Sequence, residues 1–235
     1  MRKLKRLASQ TDLRMAALAP AVSVLAWHLL SVDCWLGAVV IIAYLSGRIY
    51  YIGHHSQGRT DPLTGLLSRD AIVAHMSRAL RGDGKGAVLF VDLDRFKQIN
   101  DTMGHQVGDS VLVTAAKRIL GCLRDDDLVG RIGGDEFVIF LGDCDDAEIV
   151  SRKISAVVTA PFRAGDRMLG ISASIGIATA PEHGTTALEL VERADVAMYQ
   201  SKHAGGDTTT IYRPGMTTNG SVAADTRLAW LHETV

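Results

Sequence analysis

The stretch Arg131-Ile132-Gly133-Gly134-Asp135-Glu136-Phe137 constrains the fold of this chain more than any other. Strand-like residues flank it, from Asp127 to Ile132 before and from Phe137 to Leu141 after. Glycine accepts the positive φ that a two-residue turn demands, so the Gly133-Gly134 pair reads as a tight β-hairpin. Two adjacent carboxylates, Asp135 and Glu136, then stand just past the turn. The segment Val88-Leu89-Phe90-Val91-Asp92-Leu93-Asp94 reads as a strand buried on both faces, yet it ends in acids. Carboxylates at the mouth of a buried strand, near others on a bare glycine turn, suit hard divalent cations and a phosphate ligand.

Composition divides the chain in two. Its 235 residues carry a formal net charge of −1, which implies no global steering toward nucleic acid, so no nucleic-acid partner is expected. The hydrophobic share averages 47%, but residues 15–52 are far more apolar than the rest. The remainder has the mixed character of one soluble domain, large enough to bury its own core. Cys34, Cys122 and Cys144 are odd in number and far apart, matching no zinc or disulfide spacing, and read as reduced thiols. The eight histidines form no ligand cluster, which argues against structural zinc.

Residues 15–32 carry no formal charge over roughly 18 positions, the minimum that crosses a hydrocarbon core. Asp33 interrupts, and a second apolar stretch runs from Cys34 to Ile52 with Arg48 near its far end, where it can snorkel. The expected arrangement is a basic N-terminus (1–14), a transmembrane helix hairpin (15–52), a short linker (53–60), a catalytic domain (61–212) and a mobile tail (213–235). Arg2, Lys3, Lys5, Arg6 and Arg14 precede the first span, and Arg48 and Arg59 close the second. The positive-inside rule therefore places both ends of the pair, and the domain, on the cytoplasmic side of a bacterial-type inner membrane. A cleaved signal peptide fits the basic start, but the apolar region is too long and a second stretch follows at once. An interfacial amphipathic hairpin stays open, because Pro20, His28 and Arg48 weaken both spans.

Within the domain, Asp61-Pro62-Leu63-Thr64-Gly65 is turn chemistry. Ser68 suits the N-cap of a helix through about Leu80, ended by Gly82 and Gly84. A strand from Ala87 to Leu93 follows, then a segment from Arg95 to Gly108 too polar to be a strand. Helical spacing of Leu112, Ala115, Ala116, Ile119 and Leu123 predicts a helix from Asp109 to Leu123. Past the hairpin, Asp145 or Asp146 caps a helix through Ala160. Alternation predicts one long strand from Met168 to Thr179, and a helix from Thr186 to His203 and a short strand from Thr209 to Tyr212 close the domain. No Gly-x-x-x-x-Gly-Lys phosphate loop is present, against a P-loop nucleotidase.

Several motifs now line up in order: Asp61-Pro62-Leu63-Thr64-Gly65-Leu66, Val91 to Lys97, Asn100-Asp101, Gly104-His105, Gly108-Asp109, Arg131 to Phe137, Ser174 to Ala178, and Asp195 to Lys202. Over about Thr60 to Tyr212 the series resembles the GGDEF-domain diguanylate cyclases. The resemblance implies an α+β domain with a central, mostly antiparallel five-stranded sheet flanked by helices, like the palm of nucleotidyl cyclases. It implies condensation of two GTP molecules into cyclic di-GMP, with release of pyrophosphate. Each domain would hold one GTP, so a homodimer is expected, and a C2 arrangement suits the symmetric product.

By the same resemblance, Asp92, the Leu93 carbonyl, Asp135 and Glu136 hold two Mg2+ (or Mn2+) ions per active site, with Asp135 and Glu136 also catalytic and Asp135 the candidate to accept or relay a proton. One cation would acidify the attacking 3′-hydroxyl and the other neutralise triphosphate charge. Gly133 and Gly134 would let the backbone approach the triphosphate without a Cβ in the way. Asn100 and Asp109 look like guanine readers, an amide and a carboxylate matching donors and acceptors that adenine lacks. Asp109 also reads as a helix N-terminal carboxylate facing the dipole. His105 is similar to a substrate-contacting position of the family. Lys97 and Lys202 are candidates for the triphosphate, each equally readable as a solvent-facing lysine.

Arg124-Asp125-Asp126-Asp127 is similar to the family's inhibitory Arg-x-x-Asp product site, with Arg124 and Asp127 as cyclic di-GMP ligands. Three positions depart from the family. Ser68 replaces an asparagine; Gly206 stands where an arginine facing phosphate is common; Ser155 stands where some relatives carry a second product-binding arginine, a role Arg152 or Lys153 would have to fill. The alternative function is a catalytically silent GTP or cyclic di-GMP receptor domain at the membrane, and the glycine at 206 is its main support.

Overall fold

The computed structural model describes residues 59–143, 145–164 and 167–217. The expected basic N-terminus, transmembrane hairpin, most of the linker and the tail beyond Thr217 lie outside the described residues. Among the described residues no helix is long and apolar enough to cross a membrane.

Residues 86–93 explain the architecture. Ala, Val, Leu and Phe fill this strand (β2, Gly86–Leu93), and every residue of it is buried. It can be buried on both faces only at the centre of a sheet covered on each side. Successive side chains therefore feed two cores. Ala87, Leu89, Val91 and Leu93 meet helices α3 (His105–Leu120) and α4 (Ala147–Thr159) through Leu112, Ala115, Ile119, Val150 and Ile154. Val88 and Phe90 meet α1 (Arg69–Ala79) and α5 (Ala187–His203) through Ile72, Met76, Leu190, Ala194 and Met198. Full burial of each large side chain contributes about 1.5–3 kcal/mol.

The sheet adds β1 (Leu67–Ser68), β3 (Leu128–Gly133), β4 (Glu136–Leu141), β7 (Ala173–Ala180) and β8 (Thr209–Ile211), in the order β1-β3-β4-β2-β7-β8. It is mixed: β3–β4, β4–β2 and β2–β7 are antiparallel, β1–β3 and β7–β8 parallel. The expected sheet of five strands, mostly antiparallel, is thus a mixed sheet of six. The extra strand has only two residues, and Ser68 is both its end and the N-cap of α1, extended at φ −71°, ψ 165°. A pair of residues carries no periodicity, so its pairing with Gly130 and Arg131 leaves no local trace.

Three boundaries differ from expectation. The long strand from Met168 to Thr179 is broken: β6 (Arg167–Leu169) pairs with β5 (Phe162–Ala164) in a separate hairpin, and β7 begins at Ala173. Between them the chain turns toward Asp94, whose amide donates to the Ser172 carbonyl at 2.8 Å. The polar segment after β2 contains α2 (Phe96–Met103), and α3 starts at His105 rather than Asp109. The break between these helices is Gly104, whose amide donates to the Asn100 carbonyl at 2.9 Å. Helix α5 packs directly on β7, because Gly176 has no side chain there: a Cβ would lie 2.0 Å from the Ala194 carbonyl oxygen.

Candidate active site at the carboxylate ends of β2 and β4

Register brings the acids together. Asp92 lies opposite Glu136 on β4 and opposite Ser174 on β7, so all three share one face of the sheet, the face that α5 covers. Two like charges directly opposite across neighbouring strands cost roughly 0.2–1 kcal/mol. Lys202, in the last turn of α5, supplies the compensating charge: its Nζ lies 2.6 Å from Asp92 Oδ2. The Asp92 side chain is only 3% exposed and that of Lys202 is 34% exposed. The lysine is therefore not simply a solvent-facing one.

The hairpin turn differs by one residue from the expectation. Gly133 pairs with Glu136, so the two loop residues are Gly134 and Asp135, not the glycine pair. Gly134 takes the positive φ, +43°, and Gly133 ends the strand after a register shift. Asp135 is thus in the turn itself, half-buried, and its carbonyl accepts from the Leu93 amide at 3.3 Å. That bond ties the turn to the end of β2.

Two arginines with no assigned role in the sequence reading clamp this turn. Arg131 donates to the Gly134 carbonyl through Nε at 2.9 Å and Nη2 at 2.7 Å, while its Nη1 meets Asp61 Oδ1 at 3.1 Å. Arg69 donates to the Ile132 carbonyl at 3.0 and 2.7 Å. Asp61 also accepts from the Thr64 amide and hydroxyl, each at 2.7 Å. Burial alone would raise the Asp61 carboxyl, but the Thr64 hydroxyl and amide, with Arg131, hold it below its ordinary 3.8. Asp61 and Arg131 are 70 positions apart, so no local pattern announces the pair.

A second network surrounds Asp94. Its carboxylate accepts from Ser172 Oγ and Ser174 Oγ, each at 2.6 Å, and from the Asp207 amide at 2.9 Å. Gly206 lies against it: φ is +79°, and a Cβ would lie 3.0 Å from Asp94 Oδ2. The glycine that replaces the family's arginine is therefore more than a lost side chain. The backbone at 206 is folded onto Asp94 in a conformation that favours glycine.

The other expected ligands sit on α2 and α3. Asn100 lies against Gly108, where a Cβ would come 1.9 Å from Asn100 Oδ1, so its amide reaches the residue before Asp109. The two expected guanine readers are neighbours. Asp109 is exposed and is the fifth residue of α3, beyond the first turn where the helix dipole acts. The dipole reading of Asp109 consequently loses its basis. His105 and Lys97 are exposed on the same helix pair.

All oxygen donors here are hard. Among the described residues no three His, Cys, Asp or Glu side chains form a metal cage by themselves. Asp92 and Glu136, opposite one another on β2 and β4, offer hard oxygens of the kind that Mg2+ takes alongside phosphate and water.

At the other end of the sheet, Arg124 and Asp127 line a cavity of about 370 Å³ with Cys122, Asp143, Asp146 and Lys153. Strand β3 separates it from the hairpin turn by roughly 20 Å. Arg124 Nη2 is paired with Asp146 Oδ2 at 2.6 Å, and Asp127 Oδ2 accepts from the Arg124 amide at 2.9 Å. Of the two substitutes for the missing second arginine, Lys153 lines the cavity, whereas Arg152 pairs with Glu148 at 3.8 Å. Burial pushes the Cys122 thiol up, with Lys153 opposing, so it is no ready thiolate.

The family model "Diguanylate cyclase, GGDEF domain" matches residues 59–208, more than half of the chain. The chain belongs to the GGDEF diguanylate cyclase family. It is similar to diguanylate cyclase TpbB of Pseudomonas aeruginosa, at 46% identity over 154 residues, 62% of this chain and 35% of that protein. It is also similar to the signaling protein YkoW of Bacillus subtilis, at 41% identity over 156 residues, 63% of this chain and 20% of that protein. The chain thus spans about a third or less of the length of these relatives. Among solved structures, the GGDEF domain of Pseudomonas aeruginosa PA1120 (YfiN or TpbB) superposes with a TM-score of 0.61 at 42% identity. That match covers 64% of this chain and 98% of the other. The GGDEF motif is residues Gly133 to Phe137, the turn held by Arg131 and Arg69.

Proposed function

We propose that this chain is an active diguanylate cyclase, joining two GTP molecules into cyclic di-GMP with loss of two pyrophosphates across a homodimer. The observation that carries the reading is the in-register pairing of Asp92 with Glu136 beside Lys202, next to the turn that carries Asp135. Family membership supports the same chemistry.

Asp92, Glu136, Asp135 and the Leu93 carbonyl would hold Mg2+ or Mn2+, two per site. Bound there, the cations supply charge neutralisation at the triphosphate and a more acidic 3′-hydroxyl. Asn100 and Asp109 select guanine. A carboxylate accepts from the guanine N–H groups, and the amide pairs with the carbonyl edge, which adenine cannot match. The Gly133–Gly134 backbone approaches the phosphates, with Lys202, Lys97 and His105 as further contacts. Asp135, held in the turn, accepts the proton of the attacking hydroxyl. Two domains must face each other, because each contributes one nucleotide to the ring. The apolar residues 15–52 would bring two copies together as a membrane hairpin with the catalytic domains on the cytoplasmic side. Arg124 and Asp127 would bind the product and slow the enzyme. The silent-receptor alternative gains nothing from the site, which keeps its acids and its turn.

The test is direct. The purified full chain, incubated with GTP and Mg2+, is expected to yield cyclic di-GMP by chromatography. Asp92→Ala and Asp135→Ala, folded by circular dichroism, are each expected to lose at least about a hundredfold in rate. Normal synthesis by either variant would remove the proposed site.

A further inference from the structure

The position beside Asp92 is filled by a cation of the chain's own. Lys202 Nζ stands 2.6 Å from Asp92 Oδ2, at hydrogen-bond contact rather than at a loose ion-pair distance. A divalent ion seated on Asp92 would meet that ammonium at close range, in a pocket where the carboxylate is 3% exposed and screening is weak. Ion and ammonium therefore compete for one carboxylate, two cations at close range where little water screens them.

The lysine has somewhere to go, and its backbone does not need to move. Ser201 Oγ donates to the Ile175 carbonyl at 2.9 Å and lies 2.8 Å from Thr210 Oγ1. The Gly205 amide closes on the Lys202 carbonyl at 3.1 Å and the Gly206 amide on the Ser201 carbonyl at 3.1 Å. The end of α5 is thereby pinned to β7 and β8. The side chain, 34% exposed, retains a path outward. A triphosphate arriving at the turn offers it several anionic oxygens in exchange for one carboxylate.

From this arrangement we infer that Lys202 is a displaceable counter-ion, which makes divalent-metal binding at Asp92 depend on the nucleotide's phosphates. Without nucleotide, the lysine holds Asp92 and the metal binds weakly. With nucleotide, the lysine moves to the triphosphate and Asp92 is released to the metal. Because linkage is reciprocal, nucleotide and metal each tighten the other. This deepens the diguanylate cyclase reading and rests on it. A lysine that only contacted phosphate would leave metal affinity in the absence of nucleotide unchanged.

The experiment is titration of the nucleotide-free full chain, purified in detergent, with Mn2+, followed by the electron paramagnetic resonance of the free ion. Lys202→Met is expected to tighten Mn2+ binding at least tenfold over wild type, and Lys202→Arg, which keeps the charge, to stay near wild type. Adding Asp92→Asn to Lys202→Met is expected to abolish the gain, which places the ion at Asp92. Lys202→Gln repeats the measurement if Lys202→Met does not melt as one cooperative transition. Equal Mn2+ affinity in wild type and the neutral variants overturns the inference, as does a gain that survives Asp92→Asn. Cyclic di-GMP synthesis by the wild-type samples separates the two readings. Synthesis with unchanged affinities removes the counter-ion role alone; no synthesis and no Mn2+ binding in any variant removes both.

Discussion

Arg131 shows how much of the candidate site rests on a residue that clamps its turn. Its guanidinium holds the Gly134 carbonyl with two nitrogens and reaches Asp61 with the third, at side-chain exposures of 14% and 16%. The fork geometry matters, since lysine supplies the charge but gathers its donors on one nitrogen, which cannot span Gly134 and Asp61 as three nitrogens do. Arg131→Lys is therefore expected to lower kcat by about tenfold to a hundredfold, the usual consequence of moving a reacting group by an ångström. The melting temperature should fall by only a few degrees. Steady-state kinetics beside a thermal melt checks this; an unchanged kcat would show that the turn needs no clamp. Asp92, Asp135 and the glycines were legible in the sequence because strand mouths and tight turns have local signatures. The contacts of Arg131, Arg69 and Asp94 had none, because their partners Asp61, Ile132 and Ser172 come from remote segments.

Helix α5 and strand β7 form the element pair on which the acidic face depends. Alternation revealed β7 and helical spacing revealed α5, whose start is secured by a capping box of Thr186 and Glu189. The break of the long predicted strand at 170–172 was not legible, because it is set by Asp94 across the sheet rather than by the alternation of its own residues. Nor was β1, whose two residues only border Gly130 and Arg131. Gly176 marks where α5 rests on β7. Gly176→Ala would place a Cβ 2.0 Å from the Ala194 carbonyl oxygen and 2.2 Å from the Met198 amide nitrogen, both backbone atoms that cannot rotate away. A cost of about 3 kcal/mol in urea unfolding is expected, the upper end for overpacking. Activity should fall further than stability, since Lys202 travels with the helix. The connection between β7 and α5 carries a pH dependence. His183 is buried, its Nδ1 accepts from the Thr179 amide at 3.0 Å, and Arg193 donates to its carbonyl. Burial holds the imidazole below its ordinary 6.5; Glu182 opposes this and Arg193 adds to it. Well above pH 6.5 neither state is protonated and this group's contribution is complete. As pH falls below 6.5 the unfolded chain takes the proton first, so stability declines until the folded value is passed. The slope lost in His183→Gln, read from urea midpoints between pH 7.5 and 5, should not exceed about 1.4 kcal/mol per pH unit. No flattening in the variant would mean that His183 is not the group responsible.

The whole domain is polar in its layout: its two candidate ligand sites lie at opposite ends of one sheet. Asp92, Glu136 and Gly133 sit where β2 ends, β4 begins and β3 ends, while the cavity around Arg124 and Asp127 lies where β3 begins and β4 ends. Roughly 20 Å of paired strand separates them, too far for a product in one cavity to touch a substrate in the other. If cyclic di-GMP inhibits here, it must act by fixing the domain's position relative to its partner or through the strands, and not by competition. The Arg124 guanidinium is moreover occupied by Asp146, so the product has to displace an internal ion pair that is largely solvent-screened and weak. Arg124→Ala is accordingly expected to leave the initial rate and the KM for GTP within about twofold of wild type while raising the inhibitory concentration of added cyclic di-GMP at least tenfold. Asp146→Ala, which frees Arg124 and removes a carboxylate that repels the product's phosphates, should lower that concentration. Initial rates at several product concentrations decide the matter. Inhibition that becomes competitive with GTP, or is untouched by Arg124→Ala, would mean that the product acts at the catalytic end of the sheet instead.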